Sequence, residues 1–239
     1  MSMDMRIAGS GKIPAGEYGE VSVSGSGSLY GLVRCTCFST SGSSRGESME
    51  CAEMFKVSGK SSWEGDVNTG DMKVSGSCTC EGELTAAGKV SCSGSLKCRK
   101  SLKCDRLKVS GVLTVDGDIE AEDVRVDGRV TCEGLLNAEQ IEIVASRGTC
   151  IGSIGGSRIV IYREIERTKR LPLFSLLVHE SVSVSGSVEG DDIALEGVTC
   201  PRVTGRVVAI GAGCHVDLVQ YSEKIEVSPD AKVGRTEKI

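Results

Sequence analysis

The sequence predicts an all-β fold, a parallel β-solenoid with three faces and about 17 residues per turn. Three observations carry that prediction. A glycine-anchored phrase, VSG and its variants, returns at Gly9, Gly25, Gly42, Gly59, Gly76, Gly94, Gly111 and Gly128, with Ala145 in the next slot, at nearly even spacing. Apolar residues stand around each anchor in pairs two apart, the period of a strand with one buried side. Aromatic residues are 3% of the chain while glycines number 31, which suits an interior narrow enough to be filled by small and β-branched side chains.

Around each anchor the elements follow in order. Four and two residues before it lie pairs such as Val21/Val23, Phe38/Thr40, Phe55/Val57, Met72/Val74, Val90/Cys92, Leu107/Val109, Val124/Val126 and Ile141/Ile143. Four residues after it come Leu29, Gly46, Trp63, Cys80, Cys98, Val115 and Cys132. Eight and ten after it come Val33/Cys35, Glu50/Ala52, Val67/Thr69, Leu84/Ala86, Leu102/Cys104, Ile119/Ala121 and Leu136/Ala138. The pairs sit about six residues apart, so three short strands fill one turn. Stacked turns place like residues in columns, with the Gly and Ser between strands expected to supply tight corners and positive φ. One turn reads poorly: FSTSGSSRGESMECA puts Gly46 and Glu50 where apolar residues belong, and an irregularity is expected there.

The pattern divides the chain into amino-terminal coils over 1–156, an insertion over 157–181 and carboxy-terminal coils over 182–239 that continue the same rod. Pairs resume at Val182/Val184 and recur at Ile193/Leu195, Val208/Ile210, Cys214/Val216, Ile225/Val227 and Ala231/Val233. Twelve turns are expected, a rod on the order of 60 Å at about 4.8 Å per turn.

Composition narrows the function. With 28 Lys+Arg against 33 Asp+Glu and a net charge of −5, the chain lacks the basic field that non-specific nucleic-acid binding needs. The opening stretch MSMDMRIAGSGKIP holds no apolar run, and nothing later approaches the length of a membrane span. The expected compartment is therefore the cytoplasm, and the twelve cysteines are expected reduced. No cofactor is expected. Cys78 and Cys80, with Cys98 and Cys132 in the same column, raise the question of zinc. Strand spacing differs from the C-x₂₋₄-C loops of zinc sites, and free Cys packs as a small hydrophobe, so no metal is assigned. The acidic run Asp116 to Gly128 lacks the calcium-loop spacing and no phosphate loop is present.

The insertion sets Arg163, Arg167, Lys169 and Arg170 ahead of Leu173, Phe174 and Leu177. A cationic stretch beside an apolar one docks on an anionic membrane or on a partner. The competing expectation is a loop whose leucines fold back on the rod; Pro172 argues against one continuous helix.

The 17-residue turns, the VSGS and EG phrases and the tail VVAIGAGCHVDLV…IEVSPDAKV together resemble the bactofilins, bacterial cytoskeletal proteins that form polymers. The resemblance covers nearly the whole chain and implies a right-handed, three-faced β-helix. It further implies a non-enzymatic scaffold that polymerises through its end coils without nucleotide, with roles in cell shape, motility or organisation near the membrane. The implied partner is the protein itself or a paralogue. Compared with typical members, this chain is longer, is interrupted at 157–181 and shows no evident amino-terminal membrane tether, which makes the insertion the expected membrane contact. Uncapped solenoids associate through open strand edges, so Ile7 and Ile13 at one end and Ile225, Val227 and Val233 at the other are the expected assembly residues. Two alternatives remain in view. One is an adaptor, monomeric or a small oligomer, that binds a partner through the insertion. The other is an acyltransferase of the hexapeptide type, which needs a general base and has only His179 and His215 to offer.

Overall fold

The computed structural model describes residues 3–163 and 181–239. Among them 22 strands, every pairing parallel, form one continuous sheet, with no helix. The sheet is wound into a solenoid of about 13 turns, with stacked residues roughly 17 apart. Alternation makes the interior: the short strand Leu84–Ala86 buries its first and third residues, and Ser95–Cys98 its second and fourth.

Three faces surround a filled core. On the first face the inward ladder runs Met5, Val21, Phe38, Phe55, Met72, Val90, Leu107, Val124, Ile141, Ile159, Ile193, Val208 and Ile225. On the second face Ile13, Leu29, Gly46, Trp63, Cys80, Cys98, Val115, Cys132 and Ile151 lie in register. The third face carries Val33, Met49, Val67 and Leu84, then Leu102, Ile119 and Leu136. Burying one such side chain fully is worth about 1.5–3 kcal/mol, so the stack is held mainly by these columns.

The anchor glycines turn out to be needed for space rather than for φ. A Cβ at Gly25 would collide with the carbonyl of Gly9, and Gly42, Gly59, Gly76, Gly94, Gly111 and Gly128 each stand the same way over the anchor one turn back. That carbonyl is also a hydrogen-bond acceptor: Ser43 N–H donates to Gly25 O at 2.8 Å. The positive-φ glycines are Gly31, Gly148, Gly197 and Gly213, none of them an anchor. Ser77–Cys80, Leu84–Ala86 and Lys89–Cys92 divide a turn into three separate strands, but other turns bend more gently. Ser26–Thr40 and Ser43–Val57 are each one continuous strand through two corners, and the glycine corner alone interrupts them.

The irregular turn is real, and its cause is local. Between Leu29 and Leu32 the next turn is one residue short, and between Cys35 and Cys37 it is one residue long. The slip sets Met49, fully buried, opposite Val33 and Cys51 opposite Cys35, so Glu50 and Ala52 do not occupy the inward columns that even counting assigns them. Gly46 is inward, and its missing side chain is replaced by the Trp63 ring from the following turn. Trp63, Phe38 and Phe55 pack as a cluster, with centroids 4.7 to 5.6 Å apart. Rings therefore do enter the prism, here where Gly46 vacates the wall. The indole N–H donates to Ser61 Oγ at 2.8 Å, and Ser61 in turn hydrogen-bonds Ser44 at 2.9 Å, so the indole N–H and both hydroxyls sealed in with it have partners.

The rod also continues further than the sequence boundary at 156. The strand Thr149–Tyr162 completes a tenth turn, with Ile159 and Ile161 stacked on Ile141 and Ile143. Ile161 is then the register partner of Leu195, and Ile151 of Val184, so three further turns stack directly on the first ten. The break in the ladder falls after Tyr162, at the corner between the first and second faces.

Candidate assembly surfaces at the ends of the rod

The two terminal turns expose strand edges. Met3–Ile7 pairs only with the strand Gly16–Val23, and Ser10–Ile13 only with Ser26–Thr40. At the other end Lys232–Lys238 pairs only with His215–Val227, and the segment Lys224–Val227 of that strand has a neighbour on one side alone. Each end thus presents backbone donors and acceptors without a ladder partner among the described residues, the arrangement that templates addition of a further strand.

Side chains finish the two ends differently. Ile13 is 0% exposed and Ile7 9%. Tyr18 nearby is also buried: its ring lies against Gly16 and its hydroxyl donates to Pro14 O at 2.9 Å. What the amino end presents instead is Met3, 64% exposed, and the half-buried Met5. Tyr18 was not singled out by the ladder count, since the step from Gly9 to Gly25 is shorter than those that follow and its third-face pair falls out of step. Its stacking on Cys35 is set only by pairing. At the carboxy end the expected residues remain open. Val227 is 44% exposed, and Ile225 and Val233 are only partly covered. They lie on adjacent faces, with Ala231 beside Val233. Charged neighbours ring them in self-neutralising pairs, Lys224 with Glu226 at 2.6 Å and Arg235 with Glu237.

Of the seven residues expected to contact a membrane or partner, Arg167, Lys169, Arg170, Leu173, Phe174 and Leu177 lie outside the described residues, as does His179. Arg163 is half-buried against the rod. Its N–H donates to Glu196 Oε2 at 3.3 Å and its guanidinium lies against Gly213, a positive-φ glycine whose bare backbone leaves room for it. No helix among the described residues is long and apolar enough to cross a membrane.

The remaining chemistry is placed as follows. His215 is exposed on the second face, with Thr199 and Lys232 as register neighbours. None of the twelve cysteines is in a disulfide. Cys78, Cys80, Cys92 and Cys98 share the sealed interior of consecutive turns. Burial pushes the Cys80 and Cys92 thiols up to about 11 and raises Cys98 well above its ordinary value, so these stay protonated and pack as apolar groups. Among the described residues no group of three or more His, Cys, Asp or Glu is arranged to hold a metal. In the acidic run, Asp118 Oδ1 accepts from Leu135 N–H at 2.7 Å and Asp116 pairs with Arg99 at 3.1 Å, so these carboxylates brace corners and neighbouring turns.

No family model, no curated protein and no solved structure matches the chain.

Proposed function

We propose that this protein is a non-enzymatic scaffold that assembles end to end, without nucleotide, through its terminal coils. The observation that carries the reading is the carboxy-terminal turn, where an open parallel strand edge coincides with the half-exposed Ile225, Val227 and Val233. A second copy set on that edge satisfies the backbone groups and removes the apolar residues from water together. The likeness of the sequence to bactofilins points the same way, toward a cytoskeletal polymer in the cytoplasm, near the membrane where the 157–181 segment engages it.

Negative-stain electron microscopy of the purified protein, with no nucleotide or metal added, tests this across a salt series. Filaments in the unmodified protein are expected. Val227→Lys is expected to abolish them with an unchanged circular dichroism spectrum, because the site is open in the free rod. Discrete short rods from the unmodified protein, each the length of a single solenoid, would replace the polymer with an adaptor. Filaments surviving Val227→Lys would move the interface elsewhere.

A further inference from the structure

Two couples of cysteines stand as direct register partners on neighbouring turns, Cys35 with Cys51 on the third face and Cys80 with Cys98 on the second. Strands at about 4.8 Å bring both couples within the Cα separation a disulfide spans, roughly 4.4–6.8 Å. Their surroundings differ. Cys80 and Cys98 are 0% exposed inside the rod. Cys35 and Cys51, though mostly covered, line the wall of a groove of about 520 Å³ on the third face, together with Arg34, Glu50 and Thr69.

We propose that Cys35 and Cys51 are an oxidisable dithiol, reached through this groove by a small hydroperoxide, which closes into a disulfide between neighbouring turns. The assignment stands apart from the scaffold reading and holds for a monomer or a polymer alike.

Three features favour this couple. The backbone next to it is already irregular, with one extra residue between Cys51 and Met54 relative to Cys35 and Cys37, so a bridge need not distort an ideal ladder. The groove opens beside both cysteines, and a peroxide is small enough to enter it. The two sulfurs are also unequal. Cys35 Sγ–H donates to Met49 Sδ at 3.6 Å and Cys51 Sγ–H to Met54 O at 3.2 Å, and the closeness of the two sulfurs brings the Cys51 thiol down to about 7 and holds Cys35 up, with Thr69 assisting at Cys51. One sulfur is thereby the nucleophile and the other the resolving thiol.

The chemistry balances in two steps. The Cys51 thiolate attacks the terminal oxygen of the hydroperoxide and the O–O bond breaks, giving Cys51 sulfenic acid and an alkoxide that takes up a proton. The Cys35 sulfur then attacks Cys51 Sγ, the S–O bond breaks, and the hydroxyl leaves as water with the Cys35 thiol proton. In total two thiols and one hydroperoxide give a disulfide, an alcohol and water, the two electrons passing from the sulfurs to the peroxide oxygen.

Hydrogen peroxide at equimolar amount, applied to the full chain, tests this by intact mass and non-reducing peptide mapping. Cys37 is half-exposed and Cys150 exposed, so the assay is run both on the unmodified protein and on Cys37→Ser/Cys150→Ser. The expected result is loss of two hydrogens and a Cys35–Cys51-linked peptide in both. In Cys35→Ser the reaction is expected to stop at a Cys51 sulfenic acid that dimedone traps, and Cys51→Ser is expected to slow peroxide consumption by at least about tenfold. An unchanged mass, a bridge joining other cysteines, or dimedone label at Cys35 rather than Cys51 would each overturn the assignment. The unmodified protein decides the matter even where a variant fails to fold.

Discussion

The first four turns and the last two belong to one rod, yet they are finished in opposite ways. Near the amino end the cross-section is filled by rings: Tyr18 folds over Gly16, and Phe38, Phe55 and Trp63 plug the level opened by Gly46. Ile13 is out of contact with water. At the carboxy end the third-face column still runs through buried Ile154, Val188, Val203 and Val219, but the position two residues on is Gly190 and Gly205 before Tyr221, and Ile225, Val227 and Val233 are left partly bare. The same ladder grammar therefore gives one end whose side chains are satisfied internally and one end whose apolar residues are completed by another surface. A terminal turn whose apolar residues have no cover among the described residues keeps the association tendency of an interior turn. Here that tendency is stronger in side-chain terms at the carboxy end, while backbone edges are open at both.

The largest expected effect comes from placing the same charge at both ends. Ile13→Lys buries an ammonium with no counter-charge, a cost of several kcal/mol, and is expected to unfold the first turns, seen as a lower melting temperature and lost ellipticity. Val227→Lys is expected to leave both measurements unchanged. Equal melting temperatures for the two variants would erase the distinction between the ends. Next, Trp63→Ala removes the centre of the plug and is expected to cost about 3–5 kcal/mol by denaturant unfolding. Gly46→Ala forces the Trp63 ring out of the space it fills, with an expected loss of about 1–3 kcal/mol; a stabilised Gly46→Ala would mean the ring has other room. Tyr18→Phe deletes the bond to Pro14 and is expected to cost about 1 kcal/mol, read as faster amide exchange confined to the first turn.

Thiol reactivity draws the same line in a different way. Only the deprotonated sulfur is alkylated. Cys51, facing Cys35, Cys37, Glu53 and Thr69, is lowered to about 7 by the neighbouring Cys35 sulfur, whereas Cys200 in the later turns is raised by burial to about 12. Iodoacetamide labelling of Cys51 is expected to rise as pH increases through about 7 and then level off, with Cys200 unlabelled across that range. A Cys51 profile that climbs only in the ordinary thiol range would remove the asymmetry within the couple.

Much of the architecture was legible before any coordinates. Inward columns such as Met72, Val90 and Leu107 were spaced by the anchor count, because stacking at constant period is a one-dimensional rule. The misplacements arose where that rule meets packing. Glu50 and Ala52 were assigned inward because counting cannot register a deletion and an insertion that cancel within one turn. Ile159 and Ile161 were left out of the rod because the charged stretch that follows them hid a pair standing one turn after Ile141 and Ile143. The end residues Ile225, Val227 and Val233 follow from their position in the last turns, but that Ile13 is buried and Val227 exposed is reported by no column, because burial at an end depends on what packs beyond the ladder.

The sequence by itself determined the solenoid, its period, its three faces and the glycine corners, since each follows from short-range alternation repeated along the chain. Only the tertiary structure decided which turns are plugged, which end is closed and which two of twelve cysteines stand beside a groove as partners. Those outcomes depend on side-chain volumes meeting across turns and faces, and close packing responds to what lies opposite a residue rather than to what lies next to it in the chain.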